Sequence, residues 1–102
     1  MSTLAASAIT KIVVACDAGM GSSVMLAGHL RRQLKKNGVV VEHAPVSQIP
    51  ADADLILTNV GLAERVRASA PGKPLVAFQI FLGDPAVEAV VKAIKEGGTI
   101  DV

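Results

Sequence analysis

The residues best suited to chemistry are Cys16-Asp17-Ala18-Gly19-Met20-Gly21-Ser22-Ser23, which hold the only cysteine in the chain, two closely spaced glycines and a pair of hydroxyls. Glycines at these two positions let the backbone fold tightly and turn its N–H groups inward. A helix starting near Ser22 adds its own unpaired N–H groups and the positive end of its dipole. Such a loop is an anion cradle. Amide donors and a helix terminus favour thiolate over thiol, which makes a cysteine at the mouth of the cradle a nucleophile. Once that sulfur carries a phosphoryl group, the same donors hold its oxygens.

Other motifs with similar ingredients do not fit. A Walker phosphate loop ends in Gly-Lys-Ser/Thr, whereas Gly21 is followed by Ser22 and Ser23. A dinucleotide fingerprint needs a third glycine where Val24 stands. A redox Cys-x-x-Cys motif would need sulfur at Gly19. A buried structural cysteine closing a strand is the plain alternative, and the glycines and hydroxyls behind Cys16 weigh against it. The cysteine phosphatase loop, Cys-x5-Arg-Ser/Thr, has the same layout, but here Ser22 takes the arginine position and Ser23 the hydroxyl position. The missing guanidinium would have clamped the phosphoryl oxygens and stabilised the transition state for hydrolysis. A loop without it holds a phosphoryl group without hastening water onto it, as a carrier requires.

The elements that position this loop follow from hydrophobic periodicity. The chain has 102 residues and is expected to form one domain over residues 11–98, with flexible tails at 1–10 and 99–102. It is 51% hydrophobic but only 2% aromatic, so its core is built from Val, Ile, Leu and Ala, which suits a parallel sheet covered by helices. Apolar runs at 12–15, 39–44, 55–58 and 75–78 read as strands. Helical patterns occupy 22–37, about 62–68 and 85–96. The expected architecture is α/β, a four-stranded parallel sheet of order 2-1-3-4 with helices on both faces. It is Rossmann-like in the manner of the low-molecular-weight phosphatases, with Cys16 beside the topological switch point. All parallel strands end on one edge, so Thr58, Asn59 and the 79–83 loop should share the Cys16 edge.

Several polar residues take ordinary roles in this reading. Asp84 before Pro85 caps the last helix, although an Asp-Pro pair is also the general acid of low-molecular-weight phosphatases. Asp52 and Asp54 belong to a turn before the third strand rather than to a metal site. His29 lies within the first helix and His43 on an edge strand, and neither is placed in the site. Arg31, Arg32, Lys35 and Lys36 complement the dipole at a helix C-terminus, the alternative being a surface for an acidic partner. A net charge of +1 gives no case for nucleic acid or membrane surfaces. A lone cysteine suits a reducing cytoplasm, residues 1–10 do not read as a signal peptide, and no apolar run reaches membrane-spanning length. Direct membrane insertion, metal and cofactor are therefore not expected.

The loop Cys16-Asp17-Ala18-Gly19-Met20-Gly21-Ser22-Ser23, with Met25 shortly after, resembles the active-site loop of the enzyme IIB component of the sugar phosphotransferase system (PTS), mannitol type. The fructose type carries Pro-Thr-Gly after its cysteine and the ascorbate type Gly-Asn-Gly. The resemblance extends more weakly through 54–58, 62–65 and 81–84, with Gly83 as a departure before Asp84. It implies a phosphotransferase working through phosphocysteine. Cys16 would accept phosphoryl from a phosphohistidine of the IIA component and pass it to a sugar, mannitol or another polyol, bound by the membrane IIC component. The domain would then work at the inner face of the membrane. Residues 17–23 would bind the phosphoryl oxygens, and Met20, Val24, Met25, Ile80 and Phe81 would form an apolar platform for the partners. The competing readings are a phosphatase-like or arsenate reductase-like cysteine enzyme, and a regulatory anion sensor.

Overall fold

Four apolar runs that would each expose a row of unpaired backbone groups if left alone pair into one parallel sheet. The computed structural model describes residues 3–16, 21–80 and 83–101, with residues 21–23 described in backbone only. The sheet consists of β2 (Lys11–Cys16), β3 (Val40–Pro45), β4 (Leu55–Asn59) and β5 (Leu75–Phe78), in the order β3-β2-β4-β5 with every pair parallel. Numbering the four expected strands along the chain, this is order 2-1-3-4. The central strand β2 is apolar from Ile12 onward because both of its faces are covered: Ile12, Val13 and Val14 are fully buried. β3 is an edge strand, which lets Pro45 sit in it without removing a needed ladder bond.

Successive side chains of a strand point to opposite faces, so the sheet divides the core in two. On one face Ile12, Val14, Leu55, Leu57 and Phe78 pack against Leu26, Leu30 and Leu34 of α1 (Gly21–Leu34). The same cluster takes in Val87, Val90, Val91 and Ile94 of α3 (Pro85–Glu96). On the other face Val13, Ala15 and Ile56 pack with Val46, Ala53 and Val66, the last from α2 (Ala63–Ser69). α1 ends earlier than its periodicity suggests, since Lys35–Asn37 tighten into a 3-10 turn closed by Gly38 at φ 70°. That left-handed conformation carries little penalty only for glycine.

The termini differ from the sequence expectation. Residues placed in the two tails form β1 (Thr3–Ala5) and β6 (Thr99–Asp101), which pair antiparallel, and Ala6 N–H donates to the Gly98 carbonyl. The reason lies in side chains with little local signal: Ala6, Ile9 and Ile100 are buried in the α1/α3 core, where their apolar area leaves water. A three-residue strand has no periodicity to read, and its partner is nearly the whole chain away.

Charges gather at the N-terminal edge of the sheet. Asp54 Oδ2 accepts from Thr10 N–H at 2.9 Å, Thr10 Oγ1 at 2.7 Å and Lys11 N–H at 3.0 Å, which holds its carboxyl below the usual range. Lys11 Nζ bridges Asp52 and Glu42 at 2.9 and 3.0 Å. Asp52 and Asp54 thus fasten the start of β4 to the start of β2. Among the described residues no cluster of metal-ligating side chains exists.

Candidate functional site

Cys16 is the last residue of β2, paired in register with Pro45 of β3, while its neighbour Ala15 lies between Ala44 and Thr58. It therefore stands at the carboxyl edge of the sheet, at the end of β2, which leads to β3 on one side, and next to β4, which leads to β5 on the other. This is the switch point at which open α/β sheets bind ligands. The residue is 6% exposed, and its thiol donates to the Ala44 carbonyl at 3.7 Å, a weak contact. α1 opens at Gly21, five residues on. Asp17, Ala18, Gly19 and Met20, the expected centre of the cradle, lie outside the described residues, as do the side chains of Ser22 and Ser23.

Two neighbours on this edge are occupied by the framework. Thr58 is fully buried and its Oγ1 donates to the Ala15 carbonyl at 3.0 Å, which ties β4 to the residue before Cys16. Asn59 Oδ1 accepts from Gly61 N–H at 2.9 Å and caps the 3-10 turn Val60–Leu62. Thr58 is thus a support behind the site, and Asn59 shapes the loop beside it.

Asp84 does more than the sequence suggested. One carboxylate oxygen accepts from Ala86 N–H at 2.8 Å, the expected cap of α3. The other accepts from Gln79 N–H at 2.8 Å and Ile80 N–H at 3.1 Å, so one side chain fixes the exit of β5 and the start of α3 together. Burial pushes the carboxyl up, but the N–H donors of Ile80, Gln79, Ala86 and Val87 outweigh it and hold the group below the ordinary 3.8. A carboxylate committed to backbone donors on both oxygens is an acceptor and not a general acid, which removes the phosphatase-like role for this residue.

A testable consequence concerns acid stability. The folded-state value is depressed, so the carboxylate contributes stability above the ordinary value of 3.8 that disappears as pH falls through the folded value. Asp84→Asn places an NH2 group where an acceptor is needed and should cost about 2–4 kcal/mol near neutral pH. Urea unfolding of both proteins should show this gap at about pH 7 and a narrower one near pH 3. A gap independent of pH would mean that the charge is not what holds the loop.

Exposed apolar side chains follow the carboxyl ends of three of the strands. Val24 and Met25 on the first turns of α1 are exposed, Met25 by 63%, and Ile80 is exposed beyond β5. Phe81, also expected in this platform, lies outside the described residues. The sequence reading omitted Val60, which is exposed directly after β4 on the same edge. Its signal was available: an apolar residue just past the carboxyl end of a parallel strand with no helical partner to cover it.

The family model described as "PTS system, Lactose/Cellobiose specific IIB subunit" matches residues 11–93. The chain belongs to this PTS IIB family. The match begins at β2 and runs into α3, so it covers the whole four-stranded sheet and the Cys16 edge. A mannitol-specific EIICB component of Halalkalibacterium halodurans is 39% identical over 92 residues, 88% of this chain and 20% of that protein. The mannitol-specific EIICB component of Bacillus subtilis is 34% identical over 97 residues, 93% of this chain and 20% of its own length. A mannitol-specific cryptic EIICB component of Escherichia coli is 38% identical over 86 residues, 82% and 18% of the two chains. The chain thus spans about a fifth of the length of the curated relatives it matches. Among solved structures, a flavodoxin-like domain from Synechococcus sp. aligns with 85% of this chain and 74% of its own at 18% identity and a TM-score of 0.44. The fold assignment rests on the strand pairing instead. Among the described residues no helix is long and apolar enough to cross a membrane.

Proposed function

We propose that this PTS IIB domain is a phosphocysteine carrier for sugar uptake, with Cys16 as the acceptor and mannitol or a related polyol as the final substrate. The observation that carries the reading is the placement of the chain's single cysteine at the carboxyl end of β2, beside the switch point and just ahead of α1. In the first step the Cys16 thiolate attacks phosphorus of a phosphohistidine on a IIA component. The S–P bond forms as the N–P bond breaks, and the imidazole departs. In the second, the oxygen of a sugar hydroxyl bound by the membrane IIC component attacks phosphorus, the O–P bond forms as the S–P bond breaks, the thiolate leaves and the hydroxyl proton is released to solvent. N–H groups of residues 17–23, with the Ser22 and Ser23 hydroxyls, neutralise the transferred oxygens. No metal or cofactor is asked of this domain.

Support for the IIC partner comes from the EIICB names of the relatives, in which a IIB unit accompanies a IIC unit, and support for a polyol comes from their mannitol-specific descriptions. Two partners must reach the same sulfur in turn, so the thiol has to swing off the Ala44 carbonyl. The contact is weak enough for this to cost little. Val24, Met25, Val60 and Ile80, with Met20 and Phe81, supply the shallow apolar platform on which both partners dock. The site would face the inner side of the membrane, in the cytoplasm.

The test is incubation with a phosphorylated IIA component followed by mass spectrometry of the Cys16 peptide. One added phosphoryl group on that peptide is the expected result, labile to a supplied IIC component and polyol. A chain that instead releases phosphate steadily from an aryl phosphate ester would be a phosphatase. One that stays unmodified would be a binding module.

A further inference from the structure

At the end of the molecule opposite Cys16, the C-termini of α1 and α3 converge. Asn37 Nδ2 donates to the Ile94 carbonyl at 3.5 Å and ties the two helix ends together. Between them lies a groove of about 470 Å³, lined by Arg32, Gln33, Lys35, Lys36, Asn37 and Lys95. It is within the size range of small-molecule sites. With α1 running 14 residues, the groove lies on the order of 20 Å from the Cys16 edge. It is a separate place from the site described above.

The charge of this groove exceeds what helix ends need. Basic residues near a helix C-terminus ordinarily offset a dipole end worth about −0.5 charge, so two ends account for roughly one of the four cations. The remainder is uncompensated. Among the described residues Arg32, Lys35, Lys36 and Lys95 form no ion pair. Glu96, adjacent to Lys95 in sequence, lines a different hollow with Lys92, Gly98 and Thr99. In a chain whose net charge is only +1, four unpaired cations around one concavity are a concentration of positive potential.

We propose that this groove binds a phosphate-bearing ligand carrying two or more negative charges on a compact group. The Arg32 guanidinium can take two phosphate oxygens in parallel and the three ammonium groups act as point charges around them, while the Gln33 and Asn37 amides, engaged with His29 and the Ile94 carbonyl, each keep one N–H for any oxygen that remains. A single carboxylate would leave most of this charge unmatched. The phosphate can come from a soluble metabolite or from an anionic lipid headgroup, and both present the same oxygens.

The experiment is an amide NMR titration of the whole chain with inorganic pyrophosphate, alongside flotation with vesicles of phosphatidylglycerol and phosphatidylcholine or of phosphatidylcholine alone. Saturable shifts at residues 32–37 and 95, with affinity lowered at least about tenfold in Lys35→Ala/Lys36→Ala, support a soluble ligand. Flotation with the anionic vesicles only, lost in the same variant, supports the lipid source. These side chains are exposed and unpaired, so the variant should fold as the parent does. The proposal is overturned if pyrophosphate shifts residues 21–24 while the groove stays silent and no vesicle is bound. Binding by either probe that the double substitution leaves unchanged overturns it equally.

Discussion

Replacing Cys16 with serine should abolish phosphoryl uptake from a charged donor, lowering the rate by at least about 10³-fold, while the unfolding transition stays close to that of the parent. The difference is chemical. A serine hydroxyl needs a base to become a nucleophile, and among the described residues the polar partner of Cys16 is only the Ala44 carbonyl, which cannot take a proton. A thiol is more acidic than a hydroxyl and its sulfur is the stronger nucleophile. The substitution is nearly isosteric at the end of β2 and keeps the pairing with Pro45, so folding provides a clean control. The measurement is transfer of labelled phosphoryl from phosphorylated IIA component, followed by peptide mapping. Label retained in Cys16→Ser, or found on His29 or His43, would sink the phosphocysteine reading. His29 is already engaged with Gln33, Nε2 to Nε2 at 3.1 Å, and His43 is exposed on an edge strand.

The largest stability effect should come from Phe78→Ala, about 3–5 kcal/mol. Phe78 closes β5 at 1% exposure and packs in the cluster shared by α1 and α3. The sequence has only two phenylalanines and no Trp or Tyr, and Phe78 is the largest fully buried side chain among the described residues, so its removal takes out more core volume than any other single truncation. A domain of this size has roughly 5–15 kcal/mol in total, so the variant should unfold at a much lower urea concentration. Phe78→Leu keeps most of the volume and should cost less than about 1.5 kcal/mol. Equal midpoints for the parent and Phe78→Ala would show that this face of the sheet is not the main core.

Much of this was legible without coordinates because local patterns and the global fold agree. The four strands were visible as apolar runs, and α3 was visible from Asp84-Pro85 at its start, the stripe Val87, Val90, Val91 and Ile94, and Gly97 at its end. The placement of Cys16 at a strand end followed from the run Ile12-Val13-Val14-Ala15 meeting glycines. What escaped was non-local. The β1–β6 pair has three residues on each side and no turn to announce it. The second task of Asp84, holding the N–H groups of Gln79 and Ile80, reaches back to a segment whose conformation no pattern specifies. Thr58 shares the Cys16 edge, but no local pattern shows that its hydroxyl serves the Ala15 carbonyl.

By itself, the order of residues determined the four strands of the parallel sheet, the three α-helices, and the edge of the sheet on which the single cysteine stands. Each of these depends on neighbours a few positions apart or on the rule that parallel strands share a direction. The tertiary structure alone decided that the chain ends meet, that Asp84 spans two elements and that the four cations of the α1 and α3 termini enclose one groove. Those contacts join residues between four and almost a hundred positions apart. They form because burying apolar surface such as Ile9, Phe78 and Ile100 brings distant backbone together, and polar groups then take whichever partners that packing leaves within reach.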